Sequence, residues 1–231
     1  GVTQSGMGSP NHPFGWGYEN VQTFILEKIL ENPDISARNL AKAVVKEALM
    51  YDGYKSKDDI TCGVIYGRNP RDLLVLTGPP LRKESDGDYA RLFDSFDGKR
   101  IICGGTTANI ISRELNRQIK VQLKDFDVKI PPYSEMDGAE MVTEGIITMG
   151  AVAELLENGA KTEGLKPNAA TKMVDLFLDS DRIKFVVGTK INEAHQDPNM
   201  PVELEIRRNV VKKIASLLQD VYLKEVSIQY F

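Results

Sequence analysis

From residue 81 to the end, short apolar runs alternate with longer amphipathic stretches, and that alternation constrains the fold more than any other feature of the chain. KRIIC, IKVQL, RIKFVVG and YLKEVSIQYF have the β-branched and aromatic texture of strands. Between them, ANIISREL, ATKMVDLFLDS and VELEIRRNVVKKIASLLQD place apolar residues at helical spacing. A strand buries its faces only if something covers them, and here a helix able to do so lies between each successive pair of these runs. The pattern predicts an α/β layer structure. A short helix is expected over Asp88 to Phe96, a loop at PPYSEMDG, and a strand or turn running into a helix over AEMVTEGIITMGAVAELLENG. In the last helix Ile206, Val210, Ile214, Leu217 and Leu218 form one face, while Arg207, Arg208, Lys212 and Lys213 line a solvated basic face.

The first part of the chain has a different texture. Residues 1–17 hold five glycines and two prolines, a loop tied down by Phe14 and Trp16. YENVQTFILEKILENP reads as an amphipathic helix ended by Pro33. A second helix follows in DISARNLAKAVVKEALMYDG, with Asp34 or Ser36 as N-cap, Gly53 as the stop, and Leu40, Val44, Ala48 and Leu49 on its apolar face. ITCGVIYG and DLLVLTG then read as two strands joined by RNPR in a hairpin. Gly-Pro-Pro at 78–80 continues neither strand nor helix, because proline lacks the N–H. The domain boundary is expected near residue 80, giving a first domain over 1–80 and a second over 81–231.

Bulk properties exclude several classes. With 231 residues, 42% hydrophobic and 27% charged, the composition is that of an ordinary globular chain. The net charge of -4 gives no nucleic-acid footprint. No apolar run approaches the ~20 residues of a bilayer span. Cys62 and Cys103 both lie in apolar strand-like runs and read as buried thiols of a reducing, cytoplasmic compartment. His12 and His195 lie far apart among loop residues; no Cys/His spacing suits zinc, so any metal would be held by oxygen ligands.

KSKDDITCGVIYG carries the sharpest chemical signal, two adjacent aspartates where an apolar strand begins. Side chains alternate along a strand, so one carboxylate can face a site while its neighbour points away. The other reading is a helix-to-strand loop decorated with solvated charge. The order of motifs bears on the choice. Gly1-Val2-Thr3, then Ser36-Ala37-Arg38-Asn39-Leu40-Ala41 in a helix, then Asp58-Asp59-Ile60-Thr61 resembles the metal-dependent serine/threonine phosphatases, in the branch of the sporulation stage II phosphatase SpoIIE. The resemblance covers residues 1 to about 66.

That resemblance implies an α-β-β-α sandwich, here only in part, and a binuclear Mn²⁺ or Mg²⁺ centre that hydrolyses phosphoserine or phosphothreonine on a phosphoprotein substrate by metal-activated water. Both ions are hard cations that prefer oxygen ligands. By the same resemblance Asp58 is a metal ligand, Asp59 supports the loop or ligates weakly, and Gly1 follows the position of a second ligand. The family's other ligands lie upstream of the residue matching Gly1. The chain is therefore expected to be the C-terminal portion of such a phosphatase, inactive by itself, with an accessory α/β domain.

ICGGTTANIISREL is the second stretch with chemical potential. Gly104 and Gly105 let a backbone approach a ligand, and a helix N-terminus beginning near Thr106 offers free N–H groups to an anion. Thr106 or Thr107 either caps the helix or donates a hydroxyl to a phosphate. The Walker lysine is missing, so this is no nucleotide-triphosphate loop. Glu144, beside a Gly-Ile-Ile turn, is either a surface or capping carboxylate or a third member of a site at the C-terminal edge of the sheet. Two rivals to the phosphatase therefore stand: a binding module whose second domain takes a small anionic ligand or a partner, and a structural role in which that domain forms a homodimer.

Overall fold

The computed structural model describes residues 1–10, 12–122, 129–162, 164–190 and 201–231, with backbone only at 201–204. His195 falls outside the described residues. The chain divides into two compact units, Gly1–Asn69 and Pro70–Phe231. The division lies before DLLVLTG, ahead of the Gly-Pro-Pro expected to mark it.

The first unit is organised around its single tryptophan. Trp16 is 2% exposed and packs with Val44 and Ala48. Its ring stacks on Tyr51 at 5.1 Å and meets Phe24 edge-on at 5.3 Å. Its backbone N–H donates to the Ser5 carbonyl (2.8 Å), and the next N–H, of Gly17, to that of Thr3 (2.9 Å). The glycine-rich opening is thus folded back on itself. Gly15 permits this: at φ +87°, a Cβ there would lie 2.7 Å from the Thr3 carbonyl oxygen. Phe14, expected to help anchor the loop, is 88% exposed.

Helix α1 (Tyr18–Glu31) turns Val21, Phe24 and Ile25 toward this cluster but buries no residue fully. Helix α2 (Ala37–Tyr51) buries Leu40, Val44 and Ala48, and of the two expected caps Ser36 serves, accepting the Asn39 N–H at 3.2 Å. ITCGVIYG forms no strand. Its residues alternate as a strand's would, with Ile60 and Cys62 packed against the tryptophan cluster and Thr61, Gly63 and Ile65 exposed, but no strand among the described residues supplies a ladder. Extended backbone becomes a sheet only when its N–H and C=O groups find a partner.

The second unit shows the α/β architecture predicted from the alternation. Strands β1 (Asp72–Thr77), β2 (Lys99–Cys103), β3 (Ile119–Val121), β4 (Ser134–Met136), β5 (Ala139–Thr143), β6 (Arg182–Val187) and β7 (Glu225–Tyr230) form one sheet in the order β3-β4-β5-β2-β1-β6-β7. The five strands β5-β2-β1-β6-β7 run parallel, and β3 and β4 add an antiparallel edge. DLLVLTG is therefore no hairpin partner of ITCGVIYG. It is β1, paired with Leu73 opposite Lys99 on one side and Ile183 on the other. PPYSEMDG, expected as a loop, contains β4 and the Asp137-Gly138 turn into β5, with Gly138 at φ +78°.

Successive residues of the parallel strands face opposite ways. Leu73, Val75, Ile101, Met141, Ile183 and Phe185 pack under α5 (Ile146–Glu157), α6 (Ala169–Asp179) and α7 (Pro201–Asp220). Leu74, Leu76, Ile102, Val142 and Val186 pack under α3 (Asp86–Asp94) and α4 (Gly105–Leu115). Helix α7 buries Val211, Ile214, Ala215 and Leu218, a face turned somewhat from the expected one, leaving Ile206 exposed. Asn168 caps α6 by accepting the N–H groups of Ala170 and Thr171, both at 3.0 Å. No helix among the described residues is long and apolar enough to cross a membrane.

Phe185 is fully buried, with its ring 5.9 Å from that of Phe177. Truncating it to alanine is expected to cost about 3–5 kcal/mol, and Asn168→Ala about 1 kcal/mol, in urea unfolding followed by far-UV circular dichroism.

Candidate functional site

Two cavities collect the residues that the sequence singled out, one in each unit. In the first unit a cavity of about 210 Å³ is lined by Gly1, Gln4, Ser5, Met7, Asp52, Lys57, Asp58 and Ile60. Gly1 and Asp58 are thus brought to one place by the folded-back loop, whereas Asp59 does not line the cavity. The Asp58 carboxylate accepts the Asp59 N–H at 2.8 Å, and the Ser56 hydroxyl donates to the Asp58 carbonyl. Asp52, the residue that ends α2, accepts the Gly6 N–H at 2.7 Å and so ties the loop to the helix. The hydroxyl of Ser5 is buried there without a hydrogen-bond partner. These are hard oxygen donors of the kind Mn²⁺ or Mg²⁺ prefers. The set falls short of a binuclear centre, for among the described residues no three Asp, Glu, His or Cys side chains stand close enough to hold a metal.

The second cavity, about 340 Å³, opens at the C-terminal ends of the parallel strands. Three strand ends build its floor. β1 runs into Thr77-Gly78-Pro79, β2 into Cys103-Gly104-Gly105, and β5 through Thr143 into Glu144-Gly145-Ile146. Helices α4 and α5 start immediately from the last two. Each has a glycine at its N-cap, Gly104 at φ +118° and Gly145 at φ +128°, and neither cap makes a side-chain hydrogen bond. The two turns press together: the Gly104 N–H donates to the Thr143 carbonyl at 2.9 Å, and a Cβ on Gly145 would lie 3.3 Å from the Cα of Gly104. Glycine is favoured at both positions by conformation, and at Gly145 by closeness as well.

This packing sets two helix N-termini side by side, each with the partial positive charge of its aligned peptide dipoles. Thr106 and Thr107 stand at the second and third positions of α4, so neither is the cap; both line the cavity. Thr107 is fully buried and its hydroxyl has no hydrogen-bond partner. Glu144 does act as a capping carboxylate, accepting the Ile147 N–H at 3.2 Å, and lines the cavity as well. Gly104, Gly105, Thr106, Thr107 and Glu144, separated by up to forty positions, thus meet in one place.

Arg207 completes the wall. Gly78, at φ +81°, leaves room for it: a Cβ there would lie 2.7 Å from an Arg207 Nη. The sequence reading assigned Arg207 to a solvated basic face and Gly78-Pro79 to a domain boundary. The signal that could have found Gly78 was its place at the end of a parallel strand, where ligands gather. Nothing local marks Arg207, which reaches the site only through the packing of α7.

Cys103 lies beneath the cavity, and burial pushes its thiol up to about 12 from an ordinary 9.0. It is a neutral wall rather than a nucleophile.

Compared with models of protein families, with curated proteins and with solved structures, the chain matches none.

The raised thiol gives a direct check. In native protein at pH 8, the half-buried Cys62 should react with a thiol-specific disulfide reagent while Cys103 stays silent until denaturant is added. Because only the unfolded chain ionises Cys103 near pH 9, the stability gained by burying it neutral is complete below that pH. It should be lost as pH climbs toward 12, and Cys103→Ala should flatten that part of the pH profile.

Proposed function

We infer that residues 1–69 belong to a metal-dependent protein serine/threonine phosphatase and contribute Asp58 as one of its metal-ligating carboxylates. The observation that carries this reading is the cavity that joins Gly1, which in the family resemblance follows the position of a second ligand, to Asp58, the expected ligand, across more than fifty intervening residues.

Asp52 and Asp58 are two carboxylates, fewer than a pair of divalent ions requires, so no hydrolytic step is assigned to these residues alone. Their part is to hold one ligand against the folded-back loop, with Trp16 and Asp52 fixing that loop's position. The partner implied is a cytoplasmic phosphoprotein.

The reading is tested with a phosphoserine peptide and Mn²⁺. The 231-residue chain alone should show no turnover above background. Asp58→Asn should weaken Mn²⁺ binding to the chain, followed by isothermal titration, by about tenfold or more, and Asp59→Asn should weaken it less. No Mn²⁺ binding at millimolar concentration, or binding that Asp58→Asn leaves unaltered, would overturn the phosphatase reading in favour of a binding module.

A further inference from the structure

We propose that the cavity at the C-terminal edge of the second unit's sheet is a binding site for the phosphate group of a small molecule, received by the first turn of α4 and the Arg207 guanidinium. This goes beyond the phosphatase reading and does not depend on it, since every residue involved lies in Pro70–Phe231.

Three independent features point the same way. The first is the start of α4. Its N-cap is a glycine with no side chain to satisfy the N–H groups of the first turn, and a Cβ on Gly105 would meet nothing within 4 Å, so the backbone there faces open space. Unsatisfied N–H groups at a helix start bind anions well. The second is Thr107. A fully buried hydroxyl without a partner is costly, and this one lines the cavity, where a ligand oxygen would satisfy it. The third is Arg207, whose planar guanidinium suits a phosphate and is brought to the sheet edge by the absence of a side chain at Gly78.

The cavity also says something of the rest of the ligand. At about 340 Å³ it lies at the low end of the roughly 300–1,000 Å³ typical of small-molecule sites. Glu144 would repel a second anion, but its carboxylate can accept from a hydroxyl or amine. One of its oxygens is already held by the Ile147 N–H, which fixes the group on the α5 side. A phosphate on the α4 side and a hydrogen-bond donor on the α5 side describe a phosphorylated polar metabolite. The site offers no chemistry of its own through Cys103, whose thiol stays protonated.

Isothermal titration of the full 231-residue chain with inorganic phosphate, adenosine monophosphate and adenosine tests the proposal. Both phosphate-bearing probes should bind and adenosine should not. Monophosphate binding more tightly than phosphate would identify a phosphorylated small molecule as the ligand, and equal affinity would identify the free anion. Arg207→Gln should weaken binding by about tenfold or more, since hydrogen bonds to charged groups contribute ~1.5–3 kcal/mol. Thr107→Val, a change of nearly equal volume, should weaken it severalfold while leaving the unfolding midpoint unchanged or raised. No heat from either phosphate probe at millimolar concentration, with circular dichroism confirming a folded chain, would overturn the proposal. Binding that both variants leave unaltered would overturn it equally.

Discussion

The contact between Gly104 and Gly145 is the constraint on which the second unit's cavity depends. Strands β2 and β5 are hydrogen-bonded neighbours, so the turns that leave them must pass each other at the sheet edge. A Cβ on Gly145 would press against Gly104, and both residues hold a φ that other residues rarely adopt. With glycine at both, α4 and α5 begin at once and present their N-termini together. The rest of the site is added to that junction: Thr106 and Thr107 by the first turn of α4, Glu144 by the turn leading to Gly145, and Arg207 by α7, with its guanidinium beside Gly78.

Beneath the junction, a sheet buried on both faces supplies rigidity. β1 lies in the middle of the parallel strands, where the chain's direction of winding changes: β2 and then β5 are laid down on one side, β6 and β7 on the other. Crevices form at such a point because successive connections diverge. Here Gly188, following β6, closes against Gly78 and Pro79. Its N–H donates to the Thr77 carbonyl at 2.8 Å, and a Cβ there would lie 2.1 Å from the Pro79 oxygen. The crevice is sealed on the β6 side and open on the β2 side, which puts the cavity over α4. The first unit contrasts with this. Its interior is a few residues around Trp16, and Leu26, Leu30, Ile65 and Tyr66 are among the large apolar side chains it leaves exposed.

Much of this was legible in the sequence where the physics is local. The strands of the parallel sheet and the helices over them follow from periodicity, and Ser36 as a cap follows from its side chain. What failed were questions of partnership. DLLVLTG is a strand, as expected, but its neighbours are β2 and β6 and not the preceding run; β6 lies 110 residues away at the Asp72–Arg182 ion pair, whose two contacts are each 2.6 Å. ITCGVIYG has a strand's alternation and no ladder, because alternation records which faces are buried and not whether an edge is paired. β4 is three residues long and directly follows Pro-Pro and Tyr133, too short a run for alternation to register, although Asp137-Gly138 is strong turn chemistry. The candidate residues of the second site were found because glycines at strand ends have a local reason to exist. Arg207 was not, since its role is created by tertiary packing alone.

The central claim, that the α4 N-terminus is a phosphate site, is tested most directly by following backbone amide resonances during titration with inorganic phosphate. The largest shifts should fall on Gly105, Thr106 and Thr107 and saturate together. Unmoved amides at these three residues, or larger saturable shifts elsewhere in the chain, would contradict it.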